Sequence, residues 1–216
     1  MEIVRGYLLD NNIISILARP SDSRYPRVLV NFQAIHQGPV FLPVIAIAEI
    51  EFGMRLSRGS NEEQKKVLRN FFAQYPLHLP IDDNTIEPYA MIRAQLWREH
   101  GTRKRRGYKE KVPEDLVERV SGKSLGIDER DLLIASVAVQ YNLILATNDQ
   151  NIGMRRIKAA AQQLETDFSV VLFRADCVLV SEQNHMKALK NQRLLNLLCP
   201  PDISCGGTNQ GTYSDA

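Results

Sequence analysis

Four carboxylates in this chain stand in the same kind of place. Asp10 closes the apolar run "YLL", Glu49 sits inside "AEIEFG" after the run "VFLPV", Asp131 opens "DLLIASVAV", and Asp149 ends "LILATND". Taken one at a time, each has an ordinary use. Asp10 suits a cap or a turn, one of Glu49 and Glu51 suits a solvated helix face, Asp128 and Asp131 suit a helix N-terminus, and Asp149 suits a turn. Taken together, four acids at one edge of a sheet repel unless cations neutralise them. Carboxylate oxygens select hard divalent ions, so Mg²⁺ or Mn²⁺ is the expected cofactor. The chemistry such a cluster supports is phosphodiester cleavage, in which bound metal stabilises the attacking and leaving oxygens and lowers the pKa of the attacking water.

The elements that must position these acids alternate between strand and helix. Short apolar runs read as strands over about 3–9, 39–44, 77–81, 143–149 and 168–173, with Pro43 at a strand end. Helical spacing follows in "IAIAEIEFGMRL", in 61–75, in "DDNTIEPYAMIRAQLWREHG" ending at Gly101, and in 128–142. A first helix begins near residue 12, capped by Asn11 or Asn12, with Ile13, Ile14 and Leu17 on one face. The alternation predicts a three-layer α/β/α domain with a central, mainly parallel sheet and helices on both faces. The acids then collect at the carboxyl edge, where ligands of such sheets gather.

With 216 residues and 44% hydrophobic composition, the chain fits one sizeable domain, or one domain with appendages. The domain is expected over 1–160, with an extension over 161–198 packed on it and a disordered tail over 199–216, rich in Gly, Pro, Ser and Thr. No apolar run approaches a membrane span, and no signal-peptide pattern opens the sequence. The three cysteines and four histidines show neither disulfide nor ligand spacing, so a cytoplasmic protein is the default expectation. Net charge is only +2, but from Arg93 to Lys111 eight Lys or Arg stand against two Glu.

The motifs "LLDNNIIS", "AEIEFG", "DLLIASVAVQYN" and "LILATND", in this order, resemble those of the PIN-domain ribonucleases, above all the VapC-type toxins of bacterial toxin–antitoxin pairs. The resemblance runs over roughly residues 6–152 and includes "LPIDDNTIEPYAMIRAQLWREHG". It implies a metal-dependent endoribonuclease whose four acids are Asp10, Glu49, Asp131 and Asp149. The first three would hold the metal, and Asp149 would complete the site or position a second ion. Asn12 would organise the site by hydrogen bonding. The same resemblance implies an antitoxin protein partner and a homodimer. This chain departs from the family pattern at Asn11, where Thr is more usual, in a segment 102–125 that reads as an insertion, and in its length beyond 160.

The insertion centres on Arg103, Lys104, Arg105 and Arg106. One reading is a solvated loop; the other is an RNA-backbone contact, with Tyr108 able to stack on an unpaired base. Arg93 would join that patch or pair with an acid. "SGKS" (121–124) lacks the glycine a phosphate loop needs at Val117, and Asn12 stands where a haloacid-dehalogenase phosphatase needs Asp. Neither a Ser–His–Asp nor a Cys–His arrangement is suggested. Two other readings of the acids stay open: a non-catalytic PIN-like RNA-binding protein, and a nuclease of structured DNA.

Overall fold

The computed structural model describes residues 6–35, 38–56, 62–149, 151–164 and 169–172. Strand β1 (Tyr7–Leu9) leads into helix α1 (Asn11–Leu17), then α2 (Tyr25–Ile35), strand β2 (Val40–Pro43) and α3 (Val44–Leu56). After α4 (Glu62–Gln74) come β3 (His78–Leu79) and α5 (Ile86–His100). The segment expected as an insertion carries a small hairpin, β4 (Arg103–Lys104) and β5 (Gly107–Tyr108). Helix α6 (Glu129–Gln140), strand β6 (Ile144–Thr147), helix α7 (Ile152–Gln163) and strand β7 (Ser169–Leu172) follow.

Five strands form one sheet in the order β3-β2-β1-β6-β7, each paired parallel to its neighbours and flanked by helices, the expected α/β/α fold. Strands β1 and β6 lie at its centre because they are covered on both faces: Leu8, Leu9, Leu145 and Ala146 are fully buried. That is why their sequences read as unbroken apolar runs rather than as alternation. Their register places Leu9 opposite Ala146, so both strands end at the same edge. Among the described residues, no helix is long and apolar enough to cross a membrane.

Several elements differ from the sequence expectation. Asp10 itself caps α1, its carboxylate accepting from the Asn11 amide, so the helix starts before either asparagine can cap it. Helices α2 and α7 were not foreseen from the sequence pattern. Gly101 ends α5 with an extended backbone (φ −67°, ψ 146°) rather than the left-handed turn of many glycine caps. Glycine is needed there for space: a β-carbon would lie 2.7 Å from the Trp97 carbonyl and from the Tyr108 ring.

Residues 110–125 are anchored to the domain, beside a basic stretch that stays exposed. Leu116 and Leu125 are fully buried, the Trp97 indole donates to the Glu110 carbonyl at 3.2 Å, and Arg93 donates to the Lys111 carbonyl at 2.7 Å. Arg119 reaches the Gly101 carbonyl at 3.1 Å. Arg103 to Arg106 themselves remain exposed on the hairpin. Of the expected extension over 161–198, the described residues include the end of α7 and β7. Its remainder, the tail over 199–216 and residues 1–5 lie outside them.

The loop into α6 and the first turn of α7 touch backbone to backbone. A β-carbon on Gly153 would fall 1.9 Å from the Gly126 carbonyl oxygen, and Gly126 has φ +65°. The Gly153 contact is with backbone, which cannot swing aside as a side chain would. Gly153→Ala is expected to lower stability by at least about 2 kcal/mol, the cost of overpacking against a rigid neighbour. Urea unfolding against wild type measures it, and an unchanged midpoint would mean that α7 slides freely.

Candidate acidic site at the carboxyl edge of the sheet

Where β1 and β6 end, the chain turns outward on both. The Asp10 amide donates to the Ala146 carbonyl at 2.9 Å, which fixes the two strand ends side by side. Asp10 is almost fully buried, at 4% exposure. Its Oδ1 accepts from the Asn11 amide at 2.6 Å, and its Oδ2 accepts from Asn12 Nδ2 at 2.7 Å and Thr147 Oγ1 at 2.6 Å. Asn12 also donates to Thr147 Oγ1 at 3.0 Å and accepts from the Asn148 amide at 2.8 Å. Asn12 therefore stitches the start of α1 to the loop after β6.

That loop carries Asp149, whose amide donates to Thr147 Oγ1 at 2.9 Å and whose Oδ1 accepts from the Asn151 amide at 2.7 Å. The turn-forming use of Asp149 is thus real. Glu49 projects from α3, and its Oε2 accepts from Asn11 Nδ2 at 2.9 Å. Asn11, which stands in place of the usual Thr, thus contacts an acid of the site directly. Asp131 lies in the first turn of α6, behind an N-cap that Asp128 forms by accepting from the Arg130 amide at 2.8 Å.

Electrostatics tie these groups together. Burial raises Asp10 above the usual carboxylate range. The Thr147 and Asn11 hydrogen bonds oppose this, and repulsion from Asp149 and Glu49 adds to it. Asp131 is pushed up to about 7, first by burial and then by repulsion from Asp10, Asp128 and Asp149, with Arg130 acting the other way. Asp10, Asp131 and Asp149 therefore share one field, and Asp10 also feels Glu49. Arg103, Lys104, Arg105 and Arg106 belong to the hairpin and not to this cluster.

Two participants escape the sequence reading. Thr147 ends β6 fully buried and joins Asp10 to Asp149; a Thr two positions before an expected acid is the only signal for it. Arg130 pairs with both Glu49 and Asp128, and its Nε donates to Asp128 Oδ1 at 2.8 Å. This pairing holds Asp128 below the usual carboxylate range. The basic residue directly before Asp131 was the visible clue.

The donor set is chemically suited to a hard divalent cation: carboxylates that repel one another, with a buried Asn148 Oδ1 in the same loop that lacks a hydrogen-bond partner among the described residues. Among the described residues, however, no three acids, histidines or cysteines converge closely enough to hold an ion as they stand. The guanidinium on Glu49 is the cation that now stands there, and it would have to yield to a metal.

Fold and site together define an α/β/α domain with an acidic centre at the carboxyl ends of its middle strands. The family profile described as PIN domain matches residues 7–160, and the chain belongs to that family, whose members are nucleases. Among solved structures it is similar to FitAcB from Neisseria gonorrhoeae, at 24% identity and a TM-score of 0.51, over 77% of this chain and 97% of the other. It is also similar to VapBC2 from Rickettsia felis, a structure bound to a DNA fragment from their promoter, at 20% identity and a TM-score of 0.50, over 77% of this chain and 98% of the other. At these identities the likeness is one of fold. A comparison with curated proteins gives no match.

Proposed function

We propose that the chain is a metal-dependent endoribonuclease and the toxin of a toxin–antitoxin pair. The observation that carries this is the gathering of Asp10, Asp131 and Asp149 at one sheet edge, where burial first and their mutual repulsion second push Asp131 up to about 7. Acids so placed are poor neighbours for one another and good ones for Mg²⁺ or Mn²⁺. Asp10, Glu49 and Asp131 would hold the ion, and Asp149 would complete the site. When bound, the metal supplies charge neutralisation at the scissile phosphate and a more acidic water. The chain's own part is positional. Asn12 and Thr147 fix the Asp10 carboxylate, Asn11 holds Glu49, and the first turn of α6 carries Asp131. An RNA cleavage assay with and without Mg²⁺ or Mn²⁺, with product ends mapped by sequencing, tests the reading. A folded, nuclease-free preparation that leaves RNA intact in metal would refute it.

The VapBC and FitAB neighbours support an antitoxin protein as partner. A helix that brings one arginine to Glu49 would suit the pocket, because Arg130 already makes that contact from within. A second copy of the chain, as a homodimer, belongs to the same reading. Size-exclusion chromatography with light scattering reads both.

Arg130 and a metal compete for Glu49 in this arrangement. Arg130→Gln is expected to tighten Mn²⁺ binding about two- to fivefold, the worth of releasing an exposed ion pair. Isothermal titration without RNA measures it. Weaker binding in the variant would make Arg130 an organiser of the site instead of a competitor.

A further inference from the structure

Along α5, a groove of about 550 Å³ opens between that helix and the β4–β5 hairpin. Its walls are planar groups in alternation. The Arg93 guanidinium lies 4.9 Å from the Trp97 ring centre and 5.4 Å from that of Tyr89, and Arg103 lies 5.7 Å from that of Tyr108. These planes are held before any ligand arrives. Arg93 is fastened by the Lys111 carbonyl at 2.7 Å, Trp97 by the Glu110 carbonyl at 3.2 Å, and Tyr108 lies against Gly101, where a β-carbon would strike it.

The charge is as one-sided as the shape. Arg93, Arg98, Arg103 and Lys111 line the groove against one acid, Glu110, whose Oε2 is occupied by the Thr102 amide at 2.8 Å. Arg105 and Arg106 extend the basic surface at the hairpin turn. The walls of the groove are tied to the first turn of α6, the turn that carries Asp131. Glu129, two residues before Asp131, accepts from the Tyr89 hydroxyl and pairs with Arg93 at 3.4 Å.

We infer that this groove binds an unpaired nucleotide of the RNA strand that enters the acidic site; the inference rests on the ribonuclease reading. The base stacks on the guanidinium and aromatic planes, and the flanking phosphates lie against Lys111 and the hairpin arginines. Stacking takes any base, and backbone contacts carry no sequence information, so the groove favours single strands over duplexes without selecting a sequence. An acidic peptide would match the charge but leave the stacking faces unused.

Trp97 is the only tryptophan in the chain, and it lies in this groove, so its emission reports occupancy. The experiment titrates the full chain in EDTA, where cleavage is stopped, with a mixed-sequence single-stranded oligoribonucleotide, its duplex and a poly-glutamate peptide. The single strand is expected to quench the emission and the duplex to do so weakly. Tyr108→Ala is expected to weaken affinity fivefold or more, Tyr108→Phe to keep it, and Arg103→Gln to weaken it and reduce its salt dependence. Unchanged affinity in both folded Tyr108→Ala and Arg103→Gln would overturn the groove assignment while leaving the ribonuclease reading standing. Quenching by poly-glutamate as strong as by RNA would also overturn it. Absence of any RNA binding by wild type would overturn both readings together.

Discussion

Asp10→Asn is expected to reduce RNA cleavage by about 100-fold or more while the protein stays folded. The carboxylate at this position accepts from the Asn11 amide, Asn12 Nδ2 and Thr147 Oγ1, and it does so almost fully buried. Asparagine keeps the shape and one acceptor oxygen but replaces the other with a donor, and it removes the negative charge. A metal bound there would lose its most enclosed anion, a change expected to cost more than the 10- to 100-fold typical of a supporting group around a metal. Stability changes less, because two effects oppose each other. An acceptor is lost to Asn12 and Thr147, at about 1–3 kcal/mol, and a buried charge repelled by Asp149 and Glu49 is relieved. Cleavage assays alongside urea unfolding separate the two. A folded variant that cuts at the wild-type rate would remove Asp10 from the mechanism.

The metal-free protein is expected to lose stability as pH rises from about 4 to 7, and Asp131 contributes to that loss alongside the raised Asp10. The ordinary Asp131 value of 3.8 in an unfolded chain becomes about 7 in the folded one. Between those values the folded state holds a proton that the unfolded state releases. Stability is therefore complete below pH 4, falls as pH climbs through 7 and levels above it. The loss is on the order of a few kcal/mol, equivalent to roughly 5–10 °C in Tm for a chain of this size. Asp131→Asn carries no such titration, so its Tm at pH 8 should exceed that of wild type, and its profile from pH 4 to 8 should be flatter. Mg²⁺ or Mn²⁺ should return most of the loss to wild type and little to the variant. Differential scanning calorimetry across pH, with and without metal, decides the matter; superimposable profiles would show that Asp131 is not held in the field of its neighbours.

Much of this arrangement was legible in the residues, for identifiable reasons. Strands buried on both faces must be apolar throughout, so "YLL" and "LILAT" declared themselves, and the acids that follow them marked the edge of the sheet. The helices that escaped notice did so for different reasons. In α2 a proline at the second position, in "YPRVLVNF", is compatible with a helix start but reads at first as a turn. In α7 the buried face is Gly153, Met154, Ile157, Ala160 and Ala161, of which only Met154 and Ile157 stand out as large apolar residues in the sequence. Asp10 was legible both as an acid of the site and as a cap, and its carboxylate does cap α1. Thr147 and Arg130 were hidden for a further reason. Their partners, Asp10 and Glu49, are 137 and 81 residues distant, and no local spacing encodes a contact that only strand order creates.

That strand order also has a consequence in time. The central strand β1 is made first, yet one of its two neighbours, β6, is made long afterwards. A ribosome emits the chain from its N-terminus, and contacts so far apart along the sequence close late. While β6 is still being synthesised, Asp10 has neither the Ala146 carbonyl nor Thr147 to hold it, and Asp149 does not yet exist. The acidic centre therefore cannot assemble until residue 149 has been made, and a messenger cut or a translation stalled before that codon yields a fragment without it. A domain built this way gains its acidic site only after its late central strand has been made.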